Sequence, residues 1–193
     1  ALAAQTIVEE VEPGFFRVAV PTPFLVGRVN LYVALAGKVT IVDTGPNSGT
    51  TLDTLERGLA EIGIGLEAIE RVVLTHQHVD HIGLAGVIAN RGGAEVVMPG
   101  SLERYLSDWA ASAELDDEMA AQTMTRHGLP RSTGEAVKQV ARAYRAFGDS
   151  VAATETFSDG DQVAIGDTDF QVHWRPGHSP TDHILVRSDG LTV

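Results

Sequence analysis

The chain has 193 residues, enough for one domain that buries about 70% of the surface its unfolded form exposes. Its formal charge of −12, from 26 acidic against 14 basic residues, repels polyanions and excludes nucleic acid as an expected partner. It contains no cysteine, so disulfides, thiolate catalysis and sulfur ligands are excluded, and histidine and carboxylate remain as the strong metal ligands.

The opening ALAAQTIVEEVEPG lacks the basic region and apolar run of a secretory signal, and no apolar stretch approaches ~18 residues. A cytoplasmic protein with no membrane partner is the expectation. The chain does not begin with Met, and its last residues, SDGLTV, read as a strand cut off mid-course. The sequence therefore reads as a piece of a longer chain.

From Phe15 to Val42 the runs FFRVAVP, NLYVALAG and KVTIVDTG are rich in branched and aromatic residues separated by Gly and Pro, which predicts three strands in a meander. In TLDTLERGLAEIG, Leu52, Leu55, Leu59 and Ile62 recur at three- and four-residue spacings, which predicts an amphipathic helix stopped at Gly63. RVVLT is a short buried strand that delivers HQHVDH into a loop; IGLAGVIAN resumes helical spacing, and AEVVMPG is a strand ending at a Pro-Gly breaker. From Ser101 to Phe147 Ala, Glu, Gln and Arg dominate, broken at HGLPRSTGE, which predicts two helices joined by a turn. TFSDGDQVAIGDTDFQVHWRP alternates around Gly-Asp turns suited to hairpins, and PGHSPTDH is a loop between two strands. The class is α/β with a mixed, largely antiparallel sheet.

His76, His78, Asp80 and His81 place four metal-capable side chains at one point, directly after a strand that fixes where their loop begins. In an extended loop side chains alternate with period two, so His76 and His78 project to the same side and both reach one ion. Asp80 and His81, where the chain turns towards the next helix, face a second ion. Two ions ~3.5–4 Å apart stabilise a shared hydroxide near neutral pH.

The segment VVLTHQHVDHIG resembles the H-x-H-x-D-H signature of the metallo-β-lactamase superfamily. Two further segments resemble the same family in its order: IVDTG, where Asp43 matches an aspartate that supports the metal loop from behind, and PGHSPTDH, where His178 would close the first metal site with His76 and His78. Together they extend the resemblance over most of the chain from Phe15 to Val193.

The resemblance implies a four-layer αββα sandwich with metals at the edge where loops from both sheets meet. Zinc is the implied cofactor, two ions per complete chain, with iron or manganese as alternatives. Asp80 would be the catalytic residue, holding and orienting a metal-bound water or hydroxide for attack on a polarised carbonyl, phosphorus or similar centre. The family also carries an aspartate bridging both metals and a later histidine on the second ion. Neither has a match here, because DHILVRSDGLTV ends about where the bridging aspartate is expected, and Asp189 in SDG reads as a hairpin turn.

Residues 1–193 are thus expected to form one metallo-β-lactamase-like domain, lacking its C-terminal part, with a helical insertion at about 101–147 lying over or beside the metal edge. His183 is a further candidate for touching the site, whereas His127 and His173 are expected in surface or packing roles. Tyr105, Trp109, Met119 and Met124 either line a pocket or belong to the core.

The resemblance favours a small ester, thioester or lactone as substrate, since His81 and the lack of cysteine point away from β-lactamases with a cysteine ligand. Three alternatives stay open. One is sulfur dioxygenase-like chemistry on a single iron held by His76, His78 and a carboxylate. The second is a phosphodiesterase or ribonuclease, which the acidic balance weighs against; the third is a catalytically silent binding module.

Overall fold

A computed structural model describes residues 7–193; the first six residues, ALAAQT, which begin the segment read for a leader, lie outside the described residues. Ten strands form two sheets. The larger has seven strands in the order β1 (Val8–Glu12), β2 (Phe15–Pro21), β3 (Arg28–Ala34), β4 (Thr40–Val42), β5 (Arg71–Val73), β6 (Glu95–Pro99), β7 (Glu155–Phe157). The smaller is antiparallel, with β9 (Thr168–Trp174) between β8 (Gln162–Ile165) and β10 (His183–Val186).

In the larger sheet β1 to β4 pair antiparallel and β4 to β7 pair parallel. Parallel neighbours need crossovers, and the helical patterns supply them: α1 (Gly49–Glu61) joins β4 to β5, and α2 (Val79–Ile82) with α3 (Ala85–Gly92) joins β5 to β6. Ser48 caps α1 by accepting the Thr51 N–H at 3.1 Å. The chain leaves that helix through Gly63, whose φ of 84° suits a residue without Cβ.

Successive residues of the central strands serve opposite faces, as pleating requires. Ile41, Val72, Val96 and Met98 pack with Leu55 and Leu59 of α1 and Ile88 of α3, whereas Val42, Val73 and Val97 meet Phe170, Val172, Ile165 and Leu185 across the sheets. Strands buried on both faces read as continuous apolar runs, which is why RVVL and EVVM carry no alternation. The outward residues of the small sheet, among them Gln162, Asp169 and Gln171, are exposed. The described residues thus build three layers of the expected sandwich, helix on sheet on sheet.

Residues 100–147 are helical, but in three helices rather than two: α4 (Gly100–Leu106), α5 (Trp109–Arg126) and α6 (Arg131–Tyr144). The break between α5 and α6 falls at Gly128 and Pro130, within the expected turn. The extra break is at Ser107–Asp108, where the Asp108 carboxylate caps α5 by accepting the Ala111 N–H at 3.1 Å. That Ser-Asp pair is a helix-start signal hidden inside an otherwise continuous helical composition. The strand β1 was not anticipated; its residues are mostly exposed at the sheet edge and show no buried alternation. No helix among the described residues is long and apolar enough to cross a membrane.

Candidate metal centre

The parallel neighbours β4 and β5 end at the same edge of the sheet, so the residues that follow them meet: Asp43 after β4, and Thr75 and His76 after β5. The third contributor is the β9–β10 loop of the other sheet, which carries His178. Three contacts stitch the loops together: the His183 N–H donates to the Thr75 carbonyl at 3.3 Å, the Gln77 N–H donates to Thr181 Oγ1 at 3.0 Å, and the Thr181 hydroxyl donates to Gln77 Oε1 at 3.2 Å.

His76, His78 and His178 converge, each offering one ring nitrogen within 4.8 Å of the others. Their ring centroids lie 4.9 Å (His76–His78), 4.2 Å (His78–His178) and 5.3 Å (His76–His178) apart. A second group of the same compactness is Asp43, His76 and His81. Asp80 stands in the first turn of α2 and outside both groups; its Oδ2 is 4.0 Å from His81 Nε2.

Asp43 is buried behind the loop and sits at φ 58°, a left-handed conformation costly for a residue with a side chain. Its contacts hold it there. The Asp43 N–H donates to the Val73 carbonyl at 2.8 Å, and the carboxylate accepts the Thr75 N–H at 3.0 Å and the Thr75 hydroxyl at 2.8 Å. His81 Nδ1 lies 2.8 Å from the same carboxylate.

This network sets the histidine tautomers. The Thr75 hydroxyl has one proton and gives it to Asp43, so His76 Nδ1, 2.8 Å from that oxygen, is the donor between them. His76 Nε2 is then left with its lone pair free. It is also buried and without a hydrogen-bond partner, an unusual cost for a polar atom unless something else occupies it. His81 donates through Nδ1 to Asp43, which fixes the orientation of its ring. Outer hydrogen bonds that fix ring orientation in this way are the ordinary surroundings of metal-binding imidazoles.

Burial pushes the His76 imidazole down to about 4 and outweighs the attraction of Asp43. Burial, aided by the neighbouring His178, also lowers His78. Both are therefore neutral at physiological pH, the form a metal takes. Burial would lower His81 as well, but the Asp43 carboxylate beside it raises it above its ordinary value. Burial opposes ionisation of Asp43, and His81 overcomes it, leaving the carboxyl below its usual range. The donor set and the orphaned Nε2 of His76 together fit a bound transition metal.

Reading the sequence alone passed over Asp182 and Thr75. Asp182 lines the same cavity as His76, His81 and His178 and accepts from the Ser179 N–H at 2.6 Å and the Ser179 hydroxyl at 2.8 Å, bonds that hold its carboxyl low against the effect of burial. Ser and Asp three apart are a turn signal, and nothing in the sequence says that the turn faces a histidine cluster. His183 is buried on the cavity wall, with Nδ1 2.7 Å from the Thr181 carbonyl. His127 is exposed at the end of α5, and His173 is half-buried in β9. Asp189 pairs with Arg187 in the final turn. Tyr105 and Trp109 line a cavity beside His78; Met119 is exposed, and neither it nor Met124 belongs to that lining.

Residues 25–190 match the sequence profile of the metallo-β-lactamase superfamily. A probable metallo-hydrolase of Bacillus subtilis, YqjP, is 33% identical over 169 residues, covering 88% of this chain and 51% of that protein. Among solved structures, the metallo-β-lactamase family protein TTHA1429 of Thermus thermophilus superposes with a TM-score of 0.72 at 27% identity, over 92% of this chain and 57% of that one. A β-lactamase domain protein from Burkholderia ambifaria gives 0.71 at 25% identity, over 98% and 58%. The chain thus spans little more than half the length of these relatives.

Proposed function

The chain belongs to the metallo-β-lactamase superfamily, and we propose that it is the metal-binding part of a hydrolase that cleaves a small ester, thioester or lactone. The observation that carries this reading is the meeting of His76, His78 and His178 from two sheets at one point, with the buried Nε2 of His76 aimed at no protein partner. His76, His78 and His178 would hold a first zinc ion, and Asp80 and His81 would contribute to a second. When bound, such ions polarise a carbonyl and bring the ionisation of water near neutral pH.

The residues of the chain do the remaining work. Thr75 keeps the proton of His76 on Nδ1, so that ring presents a lone pair to the site, and Asp43 holds His81 through Nδ1, so neither ring has to reorient. Asp80, half-buried on the rim, would accept a hydrogen bond from the attacking water and orient it. The partner is a small molecule: the charge of −12 weighs against the polyanion that a ribonuclease must hold.

The test is metal content and hydrolysis measured on the full-length protein, with zinc, manganese or iron supplied against ester, thioester and lactone panels. Asp80→Asn preserves shape but not charge, and turnover is expected to fall about 10²–10³-fold with little change in stability. Equal rates for wild type and variant under every metal would remove Asp80 from the reaction. Iron binding with oxygen consumption in place of hydrolysis would select the dioxygenase chemistry.

A further inference from the structure

Beside the histidine cluster lies a separate cavity of about 300 Å³. One wall is the metal loop itself, Gln77, His78 and Val79; the other comes from the helical segment, chiefly Tyr105, Trp109, Ala113 and Tyr144. His78 belongs to both places, so a molecule reacting at the cluster has this cavity within reach of its next atoms.

The aromatic wall is fixed. The Trp109 indole N–H donates to the Arg145 carbonyl at 3.0 Å, and Gly148 packs so closely on the ring that a Cβ there would lie 2.6 Å from its carbons. The Tyr105 hydroxyl donates to Asp116 at 2.8 Å. Several polar groups of the lining are engaged with one another: Asp116 also accepts from Gln77 at 3.1 Å, and Asp117 pairs with Arg145, which is shared with Glu114 and whose Nε is buried without a partner. The ring faces of Tyr105, Trp109 and Tyr144 and the methyl groups of Val79, Ala113 and Ala141 make up most of what remains to meet a ligand. The lining carries two carboxylates against one guanidinium, so a second negative charge placed there is repelled.

We propose that this cavity receives an uncharged apolar arm of the substrate, a medium-length alkyl chain or a single aryl ring, while the bond to be cleaved sits at His76, His78 and His178. The assignment of the cleaved bond rests on the hydrolase reading; the pocket and its preference for an uncharged guest do not. A volume near the lower end of ligand pockets suits such a group and excludes a large one.

Two measurements on the full-length protein decide it. In the first, octanamide and octanoate are titrated while tryptophan emission is followed. Octanamide should give a saturable change that is absent in Trp109→Phe, and octanoate should bind at least about tenfold more weakly, the repulsion being worth roughly one pKa unit of interaction. No saturable response to octanamide, or an equal response to octanoate, overturns the proposal. In the second, esters are lengthened from two to eight carbons on the acyl side and, separately, on the alcohol side, with the preferred metal present. In one of the two series kcat/KM should rise about fourfold per methylene, and filling the cavity with Ala141→Leu should flatten that rise. Hydrolysis indifferent to chain length on both sides overturns the pocket and leaves the hydrolase reading standing. If neither series is hydrolysed the hydrolase reading fails, and the fluorescence titration still decides the pocket.

Discussion

The layered body and the α5–α6 pair are held by different forces. In the body, Val18, Leu31, Ile41, Leu55, Leu59, Val72 and Phe170 are among many side chains wholly withdrawn from water. In the α5–α6 pair the buried residues are Ala113, Ala121, Gly134 and Lys138, and the helices are joined by Glu114, Asp117 and Glu118 facing Lys138, Arg142 and Arg145. Burial of apolar surface stabilises by area and resists salt, whereas exposed ion pairs contribute little each and are screened. The histidine cluster stands on the first kind of support, and the neighbouring apolar cavity is closed by the second.

The largest loss of stability is expected in the body. Phe170 fills the space between the two sheets and is almost fully buried. Phe170→Ala is expected to cost about 3–5 kcal/mol in urea unfolding, whereas Leu115→Ala on exposed α5 should stay within about 0.5 kcal/mol. Equal losses would show that the two regions do not differ in the way described.

A smaller effect is expected where the two regions touch. Gly83 follows α2, and a Cβ there would lie 2.3 Å from both the Asn47 nitrogen and the Phe147 oxygen, atoms that are themselves hydrogen bonded at 2.7 Å. Backbone does not give way as a flexible side chain does, so Gly83→Ala should destabilise by about 1–3 kcal/mol. It should also lower metal affinity, because the strain falls at the end of the helix that carries Asp80 and His81. Unchanged affinity and stability would mean that the contact is loose.

The mildest perturbation sharpens the contrast. Glu114 is held well below its ordinary value of 4.5 by hydrogen bonds from Arg142, Arg145 and Lys138, and Glu118 is lowered by Lys138. A depressed folded-state pKa gives stability that is full above the unfolded value and disappears as pH falls through the folded one. Between pH 7 and about pH 3, hydrogen-exchange protection factors, taken against the intrinsic rate at each pH, should therefore fall in α5 and α6 while β4, β5 and β9 keep theirs; 0.5 M salt at pH 7 should act in the same direction, more weakly. Loss of protection in the strands before the helices would reverse the assignment of forces.

Much of the site was legible because its donors are contiguous. HQHVDH reads as a cluster of metal-capable residues without any fold, although the groups that converge also draw on His178 and Asp43, and Asp80 stands outside them. His178 was legible through its Pro-Gly-His setting and the family order. The two-helix reading of 101–147 missed the Ser107–Asp108 break because composition, which dominated that reading, does not change across it.

Sequence by itself determined the histidine-aspartate motif, the charge balance and, apart from the exposed edge strand β1, the strand and helix types of the body, all of which depend on residues close along the chain or on sums over it. Only the tertiary structure decided which atoms meet across long separations. Thr75 joins Asp43 over 32 residues and so fixes the His76 tautomer; Thr181 accepts from Gln77 over 104 residues and brings the loop of His178 to the cluster; Tyr105, Trp109 and Tyr144 become one wall opposite Gln77 and His78. Such contacts leave no periodic trace, because each depends on how whole sheets and helices pack and not on the propensity of any one segment.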